Sequence, residues 1–201
     1  RIIQNLVINS SHHFINGSFA KKFYQFAESY QKDSTHTTVA DGSDFENLEV
    51  PESAELISIT LNETSTGFGF DVEKIKKLRE TYPDKLIALD GVSAFPAVSF
   101  DLNLVDTAYF SVQKCFGLPA GLGVWIINQR CLEKYKKVKE LGVVTGSYHD
   151  LSDLKSNGDK NQTPETPNIL GIYLLGKVCQ DLLFRGTKMI QNDTIYKATI
   201  L

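Results

Sequence analysis

Strand-like runs that are apolar on both faces alternate along this chain with amphipathic helical segments. The clearest run, 85–90, reads Lys-Leu-Ile-Ala-Leu-Asp, and others lie at 4–8, 37–40, 55–60, 105–111 and 122–128. A strand with no polar side must be covered on both faces. The alternation therefore predicts an α/β fold: three α/β/α layers around a mostly parallel sheet. One helix is expected over 19–30, with Phe19, Phe23, Phe26 and Ala27 on one face and a turn and N-cap supplied by Asn16-Gly17-Ser18. Asp71 opens a second, with Val72, Ile75 and Leu78 inward and Pro83 after its end. Segments 131–141 and 167–184 read as a charged surface helix and a longer amphipathic one, and polar 147–166 as a loop whose length suits function or a partner contact.

Composition narrows the function classes. With 22% charged residues and a formal net charge of -3, the chain has no basic field, which argues against nucleic acid as the main partner. No apolar run is long enough to cross a bilayer. Cys115, Cys131 and Cys179 lack metal-type spacing and suggest a reducing, cytoplasmic compartment. His12, His13, His36 and His149 also lack ligand spacing and read as surface or capping residues, so no metal is expected. Arg1 is not an initiator Met, and the last residues stop without a turn or polar tail, so the chain is read as cut from a longer one.

In α/β sheets ligands gather at the carboxyl ends of strands. Three such ends carry polar residues here: Asn62-Glu63-Thr64-Ser65-Thr66-Gly67, Asp90, and Ser111-Val112-Gln113-Lys114. A hydroxyl, a carboxylate and a lysine in one crevice suit a pyridinium aldehyde. The amine forms an imine, and the carboxylate keeps the ring nitrogen protonated so that the ring can accept electrons. Plainer readings stand beside these: Lys114 as a solvated lysine, Asp90 as a turn aspartate, Thr64 as a loop cap, Val92 as ordinary core. Gly67-Phe68-Gly69 is a weak dinucleotide-loop signal without a third glycine.

Asp90-Gly91-Val92-Ser93-Ala94-Phe95, together with Ser111-Val112-Gln113-Lys114 and the Gly117-Leu118-Pro119-Ala120-Gly121-Leu122-Gly123 segment, resembles the class V aminotransferases of pyridoxal-phosphate fold type I. The resemblance is closest to the phosphoserine aminotransferase branch, through Asn62-Glu63-Thr64 and Asn16-Gly17-Ser18-Phe19. Ser65-Thr66-Gly67 looks more like alanine–glyoxylate aminotransferases. The resemblance implies pyridoxal 5'-phosphate as cofactor and transamination between an amino acid, phosphoserine-like in the lead reading, and a 2-oxo acid such as 2-oxoglutarate.

It also implies roles. Lys114 would be the Schiff-base lysine and the base of the proton shift, and a buried or semi-buried setting is expected from its apolar and glycine-rich flanks. Asp90 would pair with the ring nitrogen, Val92 pack on the ring, and Thr64 donate to the phenolic oxygen. Gln113 would approach the phosphate or imine region; cysteine desulfurases have His there. Ser111 matches a phosphate-contacting serine. Gln162-Thr163-Pro164 resembles a segment that reaches the neighbouring subunit's phosphate, with Gln in place of the usual Asn, and so implies a homodimer with a shared site; a plain loop is the alternative. The family's phosphate loop, ring-stacking aromatic and substrate-binding arginines are expected outside this chain. Residues 1–184 would be the cofactor-binding large domain and 185–201 the start of a link to a small domain. A different-class alternative is a non-enzymatic doubly wound module that binds a nucleotide or partner at 64–69.

Overall fold

The computed structural model describes residues 1–146 and 149–200. Its core is a six-stranded sheet of β1 (Ser11–Ile15), β2 (Thr35–Thr38), β3 (Leu56–Thr60), β6 (Leu86–Asp90), β7 (Thr107–Ser111) and β8 (Gly123–Ile127), in the order β2-β1-β3-β6-β7-β8. The first five are parallel, and β8 runs antiparallel to β7. A two-stranded hairpin, β4 (Asn62–Glu63) with β5 (Phe68–Gly69), follows β3.

Strand alternation sorts the side chains into two cores. In β6, Ile87 and Leu89 join Phe14, Ile57, Ala108 and Phe110, covered by α3 (Val72–Thr81) and by Leu175, Val178 and Leu182 of α6 (Ile169–Arg185). Leu86 and Ala88 face the other way with Leu56. There they meet α1 (Ile2–Leu6), Phe23 and Ala27 of α2 (Ser18–Ser29), and Cys131 and Tyr135 of α4 (Gln129–Glu140). Three layers result, as the two-sided apolar strands predict. By the same alternation Asp90, two residues past Ala88, lies on the α2 side.

Several expectations need correction. The 4–8 run is not a strand; Ile2–Leu6 forms α1, since so short an apolar run carries no periodicity that separates helix from strand. His12 and His13 are not on the surface: they sit in β1 at 3% and 1% exposure. His12 reaches Thr35 Oγ1 (2.8 Å) and Thr37 Oγ1 (3.1 Å), and His13 Nε2 reaches Ser11 Oγ (2.8 Å). Hydroxyls on β1 and β2 thus replace the apolar contacts a buried strand normally shows. The 147–166 segment is not all loop, because Asp150 caps α5 (Leu151–Gly158) by accepting from Ser152 N; residues 147 and 148 lie outside the described residues. Residues 187–200 continue as a further helix, α7 (Thr187–Ile200), after Gly186. No helix among the described residues is long and apolar enough to cross a membrane.

Candidate active site

The register brings the predicted strand ends to one edge of the sheet. Thr60 pairs with Asp90, Asp90 with Tyr109, and Ser111 with Gly123. Asp90, Val92 and Ser111 line one cleft of about 670 Å³ there. Tyr109, Gly123, Val124 and Trp125 continue its wall from β7 and β8, and Phe19, Lys22, Phe23 and Phe26 of α2 face them. The apolar face expected on α2 is therefore divided. Phe23 and Ala27 are buried, whereas Phe19 and Phe26 remain 44% and 56% exposed on the cleft side.

Asp90 is the polar centre of this cleft. Its Oδ1 accepts from Val92 N (2.9 Å) and its Oδ2 from Tyr109 Oη (2.8 Å). Burial pushes its carboxyl above the usual range; the two donors pull it back down, and the nearby Glu63 charge adds a smaller upward push. The turn after Asp90 is held by aromatic packing. A side chain on Gly91 would lie 2.5 Å from the Phe95 ring, so glycine is required there, and Phe95 packs edge-on to Phe110 at 6.1 Å.

Lys114 lies in the turn between β7 and β8, three residues beyond Ser111. The turn is closed by Gly117 N donating to Lys114 O (2.9 Å) and Leu118 N to Val112 O (3.1 Å). It touches the Asp90 turn through Cys115 Sγ and Ser93 O, at 3.5 Å. Val112 and Phe116 anchor the turn inward, and Phe116 stacks on Phe110 at 4.8 Å. Lys114 itself is exposed, contrary to the burial expected from its flanks: those flanks bury their own side chains and leave the tip of the turn outside. Gln113 beside it is also exposed.

Thr64 is exposed in the β4–β5 turn. What fixes that turn is a residue that sequence reasoning passed over. Glu63 is wholly buried, and its Oε2 accepts from Phe19 N (3.0 Å) and Ala20 N (2.8 Å), the first amides of α2. Its Oε1 accepts from Ser65 N (3.1 Å) and Ser65 Oγ (2.6 Å), while Ser18 N donates to Ser65 Oγ (2.9 Å). The α2 N-terminus is thus capped from 44 residues away rather than by the expected Asn16-Gly17-Ser18, where Gly17 makes no side-chain cap. A carboxylate on free N–H groups at the positive end of a helix is a favourable pairing. In the sequence Glu63 stood out only as the middle residue of Asn62-Glu63-Thr64, with no role of its own, because the helix it caps was expected to be capped by Asn16-Gly17-Ser18.

Gln162 and Thr163 are exposed between α5 and α6. Gln162 N donates to Asn157 O (2.9 Å) and Thr163 Oγ1 to Glu165 O (2.6 Å), both local contacts, and neither residue lines the cleft.

The donor set suits a pyridinium aldehyde. A carboxylate with unused acceptor capacity opens on a cleft walled by Val92 and aromatic rings, with a hydroxyl from Ser111. At the neighbouring strand end, outside the cleft lining, the buried Thr60 Oγ1 has no hydrogen-bond partner among the described residues. A primary amine, Lys114, stands on the adjoining turn, with no ion pair among the described residues.

Comparison with known proteins agrees with this chemistry. The family model described as "Aminotransferase class-V" matches residues 34–197. A phosphoserine aminotransferase of Rhodococcus opacus (strain B4) is 30% identical over 172 residues, covering 85% of this chain and 45% of that protein. The crystal structure of a phosphoserine aminotransferase from Cytophaga hutchinsonii superposes with a TM-score of 0.95 at 44% identity, over 98% of this chain and 55% of that one. An alanine–glyoxylate aminotransferase from Nostoc sp. shares the fold, with a TM-score of 0.76 at 20% identity over 94% of this chain and 52% of that one. The chain spans about half the length of the relatives it matches.

Proposed function

The chain belongs to the class V aminotransferases, and from that premise we propose that the full-length protein moves an amino group from a phosphoserine-like amino acid to a 2-oxo acid such as 2-oxoglutarate. The observation that carries the reading is the convergence of Asp90, Val92 and Ser111 on one cleft beside the Lys114 turn. The cofactor of this family, pyridoxal phosphate, supplies an electron-accepting ring when bound.

The chain's own residues divide the remaining work. Asp90 holds a proton on the ring nitrogen, which requires the carboxylate to be ionised; the donors on both of its oxygens favour that form against burial. Val92 and the aromatic wall would cover the ring once it is bound, and the water this displaces would strengthen the ion pair. Ser111 offers a hydroxyl to an anionic group, Gln113 an amide, and Thr64 a donor to the phenolic oxygen. Lys114 would hold the cofactor aldehyde covalently, and once the incoming amino group has displaced it, its freed Nζ would serve as the base that takes the proton from the substrate Cα.

The resemblance of 162–164 extends the proposal to a homodimer, with Gln162 and Thr163 serving the partner's site. Their exposure and lack of contact with this chain's own cleft are consistent with that. Residues 1–184 form the large domain in this reading, and 185–201 begin the link to a small one. A cytoplasmic setting belongs to the same proposal, resting on cysteines that are all unpaired.

Phosphoserine is preferred over alanine as donor because the relatives at 30% and 44% identity are phosphoserine aminotransferases; only Ser65-Thr66-Gly67 favours the alanine–glyoxylate alternative. Assay of the full-length protein with phosphoserine, alanine and serine donors against 2-oxoglutarate and glyoxylate separates the two. The proposal expects kcat/KM for phosphoserine with 2-oxoglutarate to exceed the other pairs by at least about 100-fold, and preference for alanine with glyoxylate would overturn it.

A further inference from the structure

Tyr109 enters the proposed chemistry only as a donor to Asp90, and among the described residues it is the one side chain that hydrogen-bonds to Asp90 Oδ2. It is opposite Asp90 in the β6–β7 register, so the two side chains leave the sheet on the same face. Its position is fixed by two aromatic neighbours besides Asp90. The Phe23 ring meets it edge-on at 5.7 Å, Trp125 is its cross-strand partner on β8, and Trp125 is itself held by Nε1 donating to Thr107 Oγ1 at 2.7 Å. A buried phenol needs a partner for its O–H, and this one spends it on a carboxylate.

From this geometry we infer that Tyr109 is a positioning residue, which fixes the Asp90 carboxylate in rotation and keeps it ionised for whatever cation occupies the cleft. The inference rests on the pyridoxal-phosphate reading of the cleft. With Val92 N on Oδ1 and Tyr109 Oη on Oδ2, the carboxylate cannot turn without losing a bond, and each oxygen retains a lone pair directed elsewhere. A hydroxyl donor stabilises the charged form of a buried acid, and the reciprocal effect is present: burial first, then the Asp90 charge, drives the Tyr109 hydroxyl well above its ordinary pKa, so it stays a donor. Glu63 opposes this by adding negative charge near Asp90, which makes the Tyr109 contribution the more necessary.

The test uses the full-length protein and reads the dissociation constant of pyridoxal phosphate and its visible absorption, besides activity. Tyr109→Phe keeps the ring and removes the hydroxyl. It is expected to weaken cofactor binding by roughly tenfold, about 1.4 kcal/mol, with little change in thermal stability. In an Asp90→Asn background the same substitution is expected to change binding less than twofold, because the group it acts through is gone. An unchanged dissociation constant in Tyr109→Phe, or an equal loss in both backgrounds, would show a packing role only and overturn the inference. If Tyr109→Phe does not fold, a fluorinated tyrosine at 109 preserves shape and strengthens the donor; it is expected to tighten binding, and no change contradicts the inference. Failure of the wild-type protein to bind pyridoxal phosphate at all would instead refute the underlying reading of the cleft, and this inference with it.

Discussion

A side chain at Gly17 and the carboxylate of Glu63 would compete for the same space: a Cβ built on Gly17 lies 2.4 Å from Glu63 Cγ. The backbone at Gly17 is extended, so the requirement for glycine is one of room and not of dihedral angle. The close approach lets Glu63 reach the first amides of α2 and tie the loop that carries Thr64 to the helix that walls the cleft.

Gly17→Ala is therefore expected to destabilise the protein by about 1–3 kcal/mol through overpacking. Glu63→Ala should cost on the order of 2 kcal/mol by leaving helix amides and Ser65 unpaired. Because removal of Glu63 also removes the obstruction, the double substitution should cost less than the sum of the two. Urea denaturation of all four proteins checks this, and strict additivity would contradict the steric account.

Asp90→Asn keeps the shape of the side chain and removes its charge. If Asp90 holds a proton on a ring nitrogen, the full-length variant should lose at least about 100-fold in kcat, some 2.7 kcal/mol of transition-state stabilisation. Restoring more than half of wild-type activity by adding excess pyridoxal phosphate would show that the charge serves binding alone.

The buried histidines predict acid lability. Burial is the main cause that lowers His12 to about 4 and His13 to about 3, from an ordinary value of 6.5. Their neutral forms belong to the fold, so their contribution is complete above pH 6.5. It is lost as the pH falls from 6.5 towards those lower values, because the unfolded chain takes up protons that the folded one refuses. Each ring adds up to about 1.4 kcal/mol per pH unit in that window. Unfolding free energies measured from pH 7 to 5 should fall for the wild type and fall roughly half as steeply for His13→Gln.

How far this could be read beforehand differs from element to element. β3, β6, β7 and β8 were legible because Leu-Ile-Ser-Ile-Thr, Leu-Ile-Ala-Leu-Asp and similar runs have no polar face to leave outside. β1 was not, since Ser11-His12-His13 is polar and is accommodated by hydroxyls: His13 by Ser11 within β1, Ser11 by Ser34 just before β2, and His12 by Thr35 and Thr37 on β2. α1 read as a strand because the 4–8 run, with only Leu6, Val7 and Ile8 apolar, is too short to distinguish the two periods. α5 was missed although Asp150-Leu151-Ser152-Asp153 carries a cap signature. In the site, Asp90 and Ser111 could be placed because strand ends in a parallel sheet share an edge. Glu63 and Tyr109 could not, because their significance lies in contacts 44 and 19 residues away that no local pattern announces. Lys114 was expected inside because its flanks are apolar, but the turn geometry put only Val112 and Phe116 there and left Gln113, Lys114 and Cys115 exposed.

The central claim is that the amine of Lys114 is where the cofactor attaches. Borohydride reduction of the full-length protein saturated with pyridoxal phosphate, followed by digestion and mass mapping of the peptides, reads this directly. The account predicts a pyridoxyl group on Lys114 and on no other lysine at comparable yield, and its absence in Lys114→Ala. A saturated sample with Lys114 unmodified, or with the label on another lysine, would contradict it.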